Sequence, residues 1–291
     1  MNVSTKILTV DLEDWFHILD NEETAEPSAW LKFDSRVEKS TKKLLALFDE
    51  HRVKATFFVL GWIALEYPEL VREIRDSGHE IACHSHFHRL VYTQTVAEFE
   101  KDLIMATEAI EKACGVRPTA YRAPGFSITK SEQWAFRVLS EQGYLVDCSI
   151  FPAGRAHGGI PNFPSCGPCI LENSNGNTLI SMPINVREVF KNKIVYSGGG
   201  YFRIMPIWAL NHFFRSSPYV MTYFHPRDFD PDQPMVPGLS TTRKLKSYVG
   251  LSRSFMKLKR LLSELEFMTL FGATELYING IEKLPIIKLD N

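Results

Sequence analysis

Short apolar, β-branched runs alternate with segments of helical period along most of this 291-residue chain. The runs Lys6–Val10, Lys54–Leu60, Glu80–Cys83, Thr119–Arg122, Leu145–Asp147, Thr178–Met182 and Tyr219–Phe224 read as strands, and Phe267–Leu270 as a short closing strand. Between them, Val37–His51 sets Leu44, Leu45, Leu47 and Phe48 on one face of a helix. Val96–Cys114 runs into Gly115, a suitable C-terminal glycine. Thr129-Lys130-Ser131-Glu132 spells a capping box that opens a helix stopping at Gly143. This order predicts an α/β fold with a mostly parallel sheet, open or closed into a barrel. Phe151–Asn177 and Pro226–Ser240 break the rhythm and are expected as loops; loops of such length often wall a site. No repeat or linker divides the chain, so one domain spanning 1–291 is expected.

The reactive side chains fall at one end of these strands. Asp11 and Asp14 follow the first, His84 and His88 the third, Arg122 closes the fourth, Asp147 the fifth, and His225 follows the seventh. In βα barrels the C-terminal ends of the strands carry the active site. His84-Ser85-His86-Phe87-His88 holds three imidazoles in five residues, and two His four apart on one turn can face a single ion. His86 would point elsewhere and is read as structural. With a carboxylate from Asp11-Leu12-Glu13-Asp14, two imidazoles leave a position on zinc open to water, the arrangement of a hydrolytic site.

Bulk properties narrow the classes. A chain 45% hydrophobic and 23% charged is ordinary for a globular protein. A net charge of −1 lacks the basic footprint of a nucleic-acid binder, and no apolar run nears the ~18 residues that span a bilayer. Residues 1–6 lead into the first strand without a signal-peptide pattern, so a cytoplasmic location is expected. Five cysteines, an odd number, suit reduced thiols.

Several motifs together resemble the NodB-type polysaccharide deacetylases, carbohydrate esterase family 4. His84-Ser85-His86-Phe87-His88 resembles the family's His-Ser-x-x-His motif, and Tyr121-Arg122-Ala123-Pro124-Gly125 its Arg-x-Pro motif. Asp147-Cys148-Ser149 and Tyr223-Phe224-His225-Pro226 resemble two later ones. The chain looks most like the branch that includes Helicobacter-type peptidoglycan deacetylase and allantoinase-like members. The resemblance covers nearly the whole chain and implies a distorted (β/α)7 barrel. It also implies roles: Asp11 as general base, His84 and His88 as metal ligands, and a third ligand from the acidic cluster. Asp14 is preferred for that ligand over Glu13. Arg122 would orient Asp11, His225 would protonate the departing amine, and Asp147 is set down as the partner fixing the tautomer of His225. Gly125 stands where the family commonly has tyrosine; its backbone N–H is the expected oxyanion donor. Tyr201, beside Gly198–Gly200, is the expected stacking wall for the sugar.

The resemblance implies a hydrolase that removes an N-acetyl group from an amino sugar of a surface polysaccharide, or from its nucleotide- or lipid-linked precursor. A divalent metal, with Zn²⁺ the expected ion, is its cofactor. Rival readings are hydrolysis of another C–N bond, as in a deformylase or allantoinase, and an inactive carbohydrate-binding module. Cys166-Gly167-Pro168-Cys169 spells a redox motif but lies in a Pro/Gly-rich loop without a helix to lower a thiol pKa, so a structural turn is the preferred reading. Arg243, Lys244, Lys246, Arg253, Lys257, Lys259 and Arg260 form a basic region, read as a solvated helix face able to approach a phosphate or an anionic membrane.

Overall fold

The computed structural model describes residues 4–155, 157–189, 192–280 and 284–289. The first strand of the pattern breaks into β1 (Thr5–Ile7) and β2 (Thr9–Leu12), followed by β3 (Thr56–Val59), β4 (Glu80–Cys83), β5 (Ala120–Tyr121) and β6 (Val146–Asp147). Next come β7 (Cys169–Glu172), β8 (Thr178–Ser181), the hairpin β9 (Arg187–Val189) and β10 (Asn192–Ile194), then β11 (Tyr219–Met221) and β12 (Ile286–Lys288). From β2 the parallel neighbours run β3, β4, β5, β6, β8, in registers such as Val10 to Phe57, Phe57 to Ile81 and Cys83 to Tyr121. On the other side β1 pairs with β11 in parallel, Val10 bridges Phe224, and Tyr223 bridges Gly198. Past β8 the Asn185 side chain closes part of the gap, accepting from the Met221 N–H at 2.8 Å. The result is an α/β fold whose mostly parallel sheet curls into a distorted seven-stranded barrel, as expected.

Side chains alternate across each strand, which sorts the core into two layers. Ile7, Phe58, Ala82, Ala120, Val146 and Met221 fill the interior. Val10, Phe57, Ile81, Cys83 and Tyr121 face the surrounding helices. Parallel strands buried on both faces explain why the sequence shows apolar runs rather than alternation. The helix Val37–Glu50 and the helix Val96–Cys114 form where the periodicity places them; the second has a Thr95/Glu98 capping box and ends at Gly115 with φ +71. The Thr129/Glu132 box is present, but it opens a single 3₁₀ turn, Lys130–Glu132, before the helix Trp134–Glu141. Among the described residues no helix is long and apolar enough to cross a membrane.

Two expectations about elements change. The stretch Phe151–Asn177 contains β7, which pairs antiparallel with β8 and parallel with β12. Phe267–Leu270 supplies only one bridge, Met268 to Ile7, because the helix Leu270–Ile278 starts at once. No helix follows the Cys166–Cys169 motif, in keeping with the reading against redox chemistry: Cys169 opens β7, burial pushes its thiol up to about 12, and Cys166 is exposed and free. A thiol held up by burial is the opposite of an activated one.

His79 ties the loop before β4 to the core. Its Nδ1 accepts from the Ala55 N–H at 3.1 Å, and its ring meets Phe48 and Phe57 edge-on. Burial, then Lys54, brings its pKa down to about 4. The folded chain therefore keeps His79 neutral where the unfolded chain, near 6.5, already takes up a proton. Stability should be complete above about pH 6.5 and fall as pH drops toward 4. Urea unfolding at pH 7 and pH 5 should show a smaller loss in His79→Gln than in the wild type.

Candidate active site

The interior face of the barrel carries its polar groups at the C-terminal strand ends. Alternation continues Thr9 to Asp11 and Glu13, Ala82 to His84, Ala120 to Arg122, and Met221 through Tyr223 to His225. Asp11, Glu13, His84, His88 and His225 line one cavity of about 220 Å³, together with Gly125 and Tyr201.

Arg122 lies beneath it, fully buried. Its Nη1 donates to Asp11 Oδ1 at 2.5 Å and to Thr9 Oγ1 at 2.9 Å, and its guanidinium lies 4.0 Å from the Phe58 ring centroid. A charge-assisted pair in so dry a place holds Asp11 in one orientation.

His84 and His88 converge on Glu13. Both Nε2 atoms lie 3.0 Å from Glu13 Oε1. The two imidazoles do not share a helical turn. They meet through a tight loop in which Ser85 and His88 have φ of +69 and +56. Ser85 Oγ accepts from the His88 N–H, and Asp102, on the helix Val96–Cys114, accepts from the N–H groups of His86 and Phe87. These bonds stabilise a backbone conformation unfavourable for residues other than glycine. His86 turns away and packs on Gly61, where an added Cβ would fall 2.3 Å from its Nδ1.

The donor set fits a divalent cation. His84 Nδ1 lies 2.7 Å from the Arg122 carbonyl oxygen, which can only accept, so that nitrogen carries the proton. In the neutral ring Nε2 then presents a lone pair to a carboxylate oxygen, as a metal ligand does. Burial raises the Glu13 carboxyl, yet His88 and His225 hold it well below the usual carboxylate range. Glu13, His84 and His88 offer three atoms all within 4.8 Å of one another. Two nitrogens and an oxygen suit zinc among the divalent ions.

His225 stands on the other side of the carboxylates, its Nε2 3.9 Å from Asp11 Oδ2 and 3.7 Å from Glu13 Oε1. Its Nδ1 donates to Asp228 Oδ2 at 2.9 Å, and the same oxygen accepts the His225 backbone N–H. Burial lowers the imidazole pKa, but Glu13, Asp228 and Asp11 outweigh it and leave it up at about 9.

Residues 21–144 match the polysaccharide deacetylase family, and residues 148–274 match a domain of unknown function, DUF3473. Among curated proteins, the peptidoglycan-N-acetylmuramic acid deacetylase PdaA of Bacillus subtilis is 33% identical over 102 residues, 35% of this chain and 39% of that protein. A chitooligosaccharide deacetylase of Sinorhizobium fredii is 34% identical over 102 residues, 35% of this chain and 47% of that one. The matched segment thus spans less than half the length of either relative. A crystal structure from Mycobacterium smegmatis, provisionally described as a polysaccharide deacetylase, shares the fold over 93% of this chain and 94% of its own, with TM-score 0.59 and 20% identity. Residues 21–144, less than half of the chain, are thus similar to the polysaccharide deacetylases, and nearly the whole chain shares the fold of the Mycobacterium smegmatis structure.

Two of the expected site assignments change. Asp14 does not join His84 and His88; Glu13 does. Asp14 is one residue out of phase with Asp11 and lies on the helix side, where its carboxylate accepts from the Trp15, Arg36 and Val37 N–H groups and from the Ser35 hydroxyl. It thereby caps the helix Val37–Glu50, which Arg36 at the N-cap cannot do with its own side chain. Burial raises the Asp14 carboxyl despite those bonds.

Asp147 does not pair with His225; Asp228 does. Next to interior Val146, Asp147 points to the helix side, accepting from the Ser149 N–H at 3.0 Å and facing Ser181 Oγ at 3.4 Å. Burial lifts its pKa to about 7. Its use is to seat Ser149, whose Oγ accepts from the Ala123 N–H and so supports the Arg122–Gly125 segment. Gly125 has φ +61, a backbone conformation that favours glycine, and an added Cβ would fall 2.7 Å from Leu19 Cδ1, whose side chain would have to shift. Tyr201 is 52% exposed at the cavity rim.

Asp228 and His17 were not singled out in the sequence. Asp228 sits three residues after His225 with Pro226 between, the spacing of a capping box, which is a legible signal. His17 lines the cavity with a buried Nε2 lacking a partner among the described residues, while its Nδ1 accepts from the Asp14 N–H; among aromatic neighbours it reads from sequence as core.

Proposed function

We propose that the protein is a metal-dependent hydrolase that removes an N-acetyl group from an amino sugar of a surface polysaccharide or of its nucleotide- or lipid-linked precursor. The observation that carries this reading is the convergence of Glu13, His84 and His88 with Asp11 and His225 on two sides, every group within 4 Å of another. Glu13, His84 and His88 would hold the ion. When bound there, a divalent metal supplies Lewis acidity toward the acyl oxygen and acidifies a water.

Asp11, fixed by Arg122, takes a proton from the water that attacks the acyl carbon. The Gly125 backbone N–H, at the cavity wall, would donate toward the developing oxyanion. His225 carries the proton needed by the sugar nitrogen as the C–N bond breaks, and Asp228 keeps its Nε2 directed into the cavity. Both matched segments contribute, His84 and His88 from residues 21–144 and Tyr201 and His225 from residues 148–274, while Asp11 and Glu13 lie just ahead of the first, so we take residues 1–291 as one catalytic domain. Acetate release from a panel of N-acetylated sugars, with and without a chelator, tests the reading. Turnover that falls on chelation and returns with zinc is expected; turnover indifferent to complete metal removal contradicts it.

A further inference from the structure

The cavity is far more cationic than the chain. Five Arg or Lys side chains line it against three carboxylates, in a protein of formal net charge −1. The carboxylates are already matched: Asp11 by Arg122, Glu13 by His84 and His88, Asp228 by His225 and Arg203. Arg203 spends its other donors on the carbonyls of Lys246 and Ser247, and Arg243 on Asp20 and the Leu19 carbonyl. Most of the remaining basic region is likewise consumed: Lys257 by main-chain carbonyls, Lys259 by Glu50 and Arg260 by Glu264.

Three cations remain. Arg155 Nη1 and Arg227 Nη2 are shielded from solvent and have no hydrogen-bond partner among the described residues. The exposed Lys246 ammonium has no acceptor among the described residues. Rings hold the two guanidinium groups in place of acceptors. Arg155 Cζ lies 4.6 Å from the Phe151 centroid and 4.9 Å from that of Phe126, and Arg227 Cζ lies 5.8 Å from that of Tyr248. Stacking fixes the fork of a guanidinium without using its N–H groups, and buried donors left unmade are unfavourable until a ligand supplies acceptors. A compact oxyanion is the matching ligand.

We infer that the amino sugar bound here is itself anionic, carrying a phosphate ester or a carboxylate on the acylated sugar or its neighbour, and that Arg155, Arg227 and Lys246 recognise that group. The identity of the sugar rests on the hydrolase reading; the preference for an anion does not. Calorimetric titration compares N-acetylglucosamine 1-phosphate, N-acetylglucosaminuronic acid and the neutral methyl glycoside of N-acetylglucosamine. It is run on the metal-loaded protein and again after chelation, since phosphate can ligate a metal directly. One or both anions should bind at least about 10-fold tighter than the neutral sugar in both states at low salt. The phosphate and carboxylate arms tell the two sources apart. The preference should shrink to about threefold or less in 0.5 M salt and in the double variant Arg155→Gln/Lys246→Gln. A folding defect would weaken all three ligands together and leave the ratio unchanged. Equal affinities, a preference that survives in the folded double variant, or one that disappears on chelation overturns the inference. Acetate release from the same sugars keeps the two readings separate. Neutral sugar cleaved as fast as anionic sugar defeats the anion assignment alone, whereas anion preference without acetate from any sugar defeats the hydrolase reading alone.

Discussion

Replacing His225 with alanine should lower kcat for acetate release by about 10²–10⁴-fold, with a much smaller change in KM. The expectation follows from where the imidazole stands. Its Nε2 is within 4 Å of Asp11 and Glu13, and its Nδ1 is committed to Asp228. Loss of the ring removes a proton donor needed only as the C–N bond breaks, so the ground-state complex is little affected. Asp228→Asn should reproduce part of the loss, because an amide no longer holds the imidazole as a carboxylate does. Asp147→Asn is the control. Its contacts are with Ser149 and Ser181 on the helix side, so kcat should stay within a few-fold of wild type. If Asp147→Asn matched His225→Ala in kcat while Asp228→Asn did not, the assignment of the two aspartates would be reversed.

Glu13→Gln should weaken zinc binding by about 100-fold or more, since even outer partners of metal ligands cost 10–100-fold when lost. Glu13 Oε1 is the atom on which His84 and His88 both close at 3.0 Å, and the amide would bring a neutral, weaker ligand. Asp14→Asn should leave the zinc affinity within a few-fold and lower stability instead. Its carboxylate meets three backbone N–H groups and the Ser35 hydroxyl at the start of the helix Val37–Glu50, and losing a helix cap costs about 0.5–2 kcal/mol. Zinc titration with a competing chelator, beside urea unfolding of each metal-free variant, separates the two effects. A Glu13→Gln protein that binds zinc like the wild type would remove Glu13 from the site.

Most of the fold was readable because parallel strands buried on both faces leave continuous apolar runs, and the strand ends point to one face. The local errors share one cause. A side-chain period of two means that a shift of one residue exchanges the interior for the helix side. Counting in twos from Ile7 through Thr9 and Asp11 reaches Glu13, and from Val146 it reaches Cys148, leaving Asp14 and Asp147 outside. Residue type alone could not decide this, because Asp11-Leu12-Glu13-Asp14 offers two carboxylates besides Asp11. The loop from His84 to His88 was harder. Its positive φ values rest on Ser85 and on Asp102, distant in sequence, and no local pattern announces them. The cationic lining was invisible for the same reason, since Arg155, Arg227 and Lys246 come from three separate segments.

Anomalous diffraction from crystals grown with zinc, recorded on both sides of the zinc edge, tests the metal site most directly. A peak in contact with His84 Nε2, His88 Nε2 and the Glu13 carboxylate, within reach of Asp11 and His225, is the predicted result. A peak on Asp14, or none between the two imidazoles at saturating zinc, would contradict it.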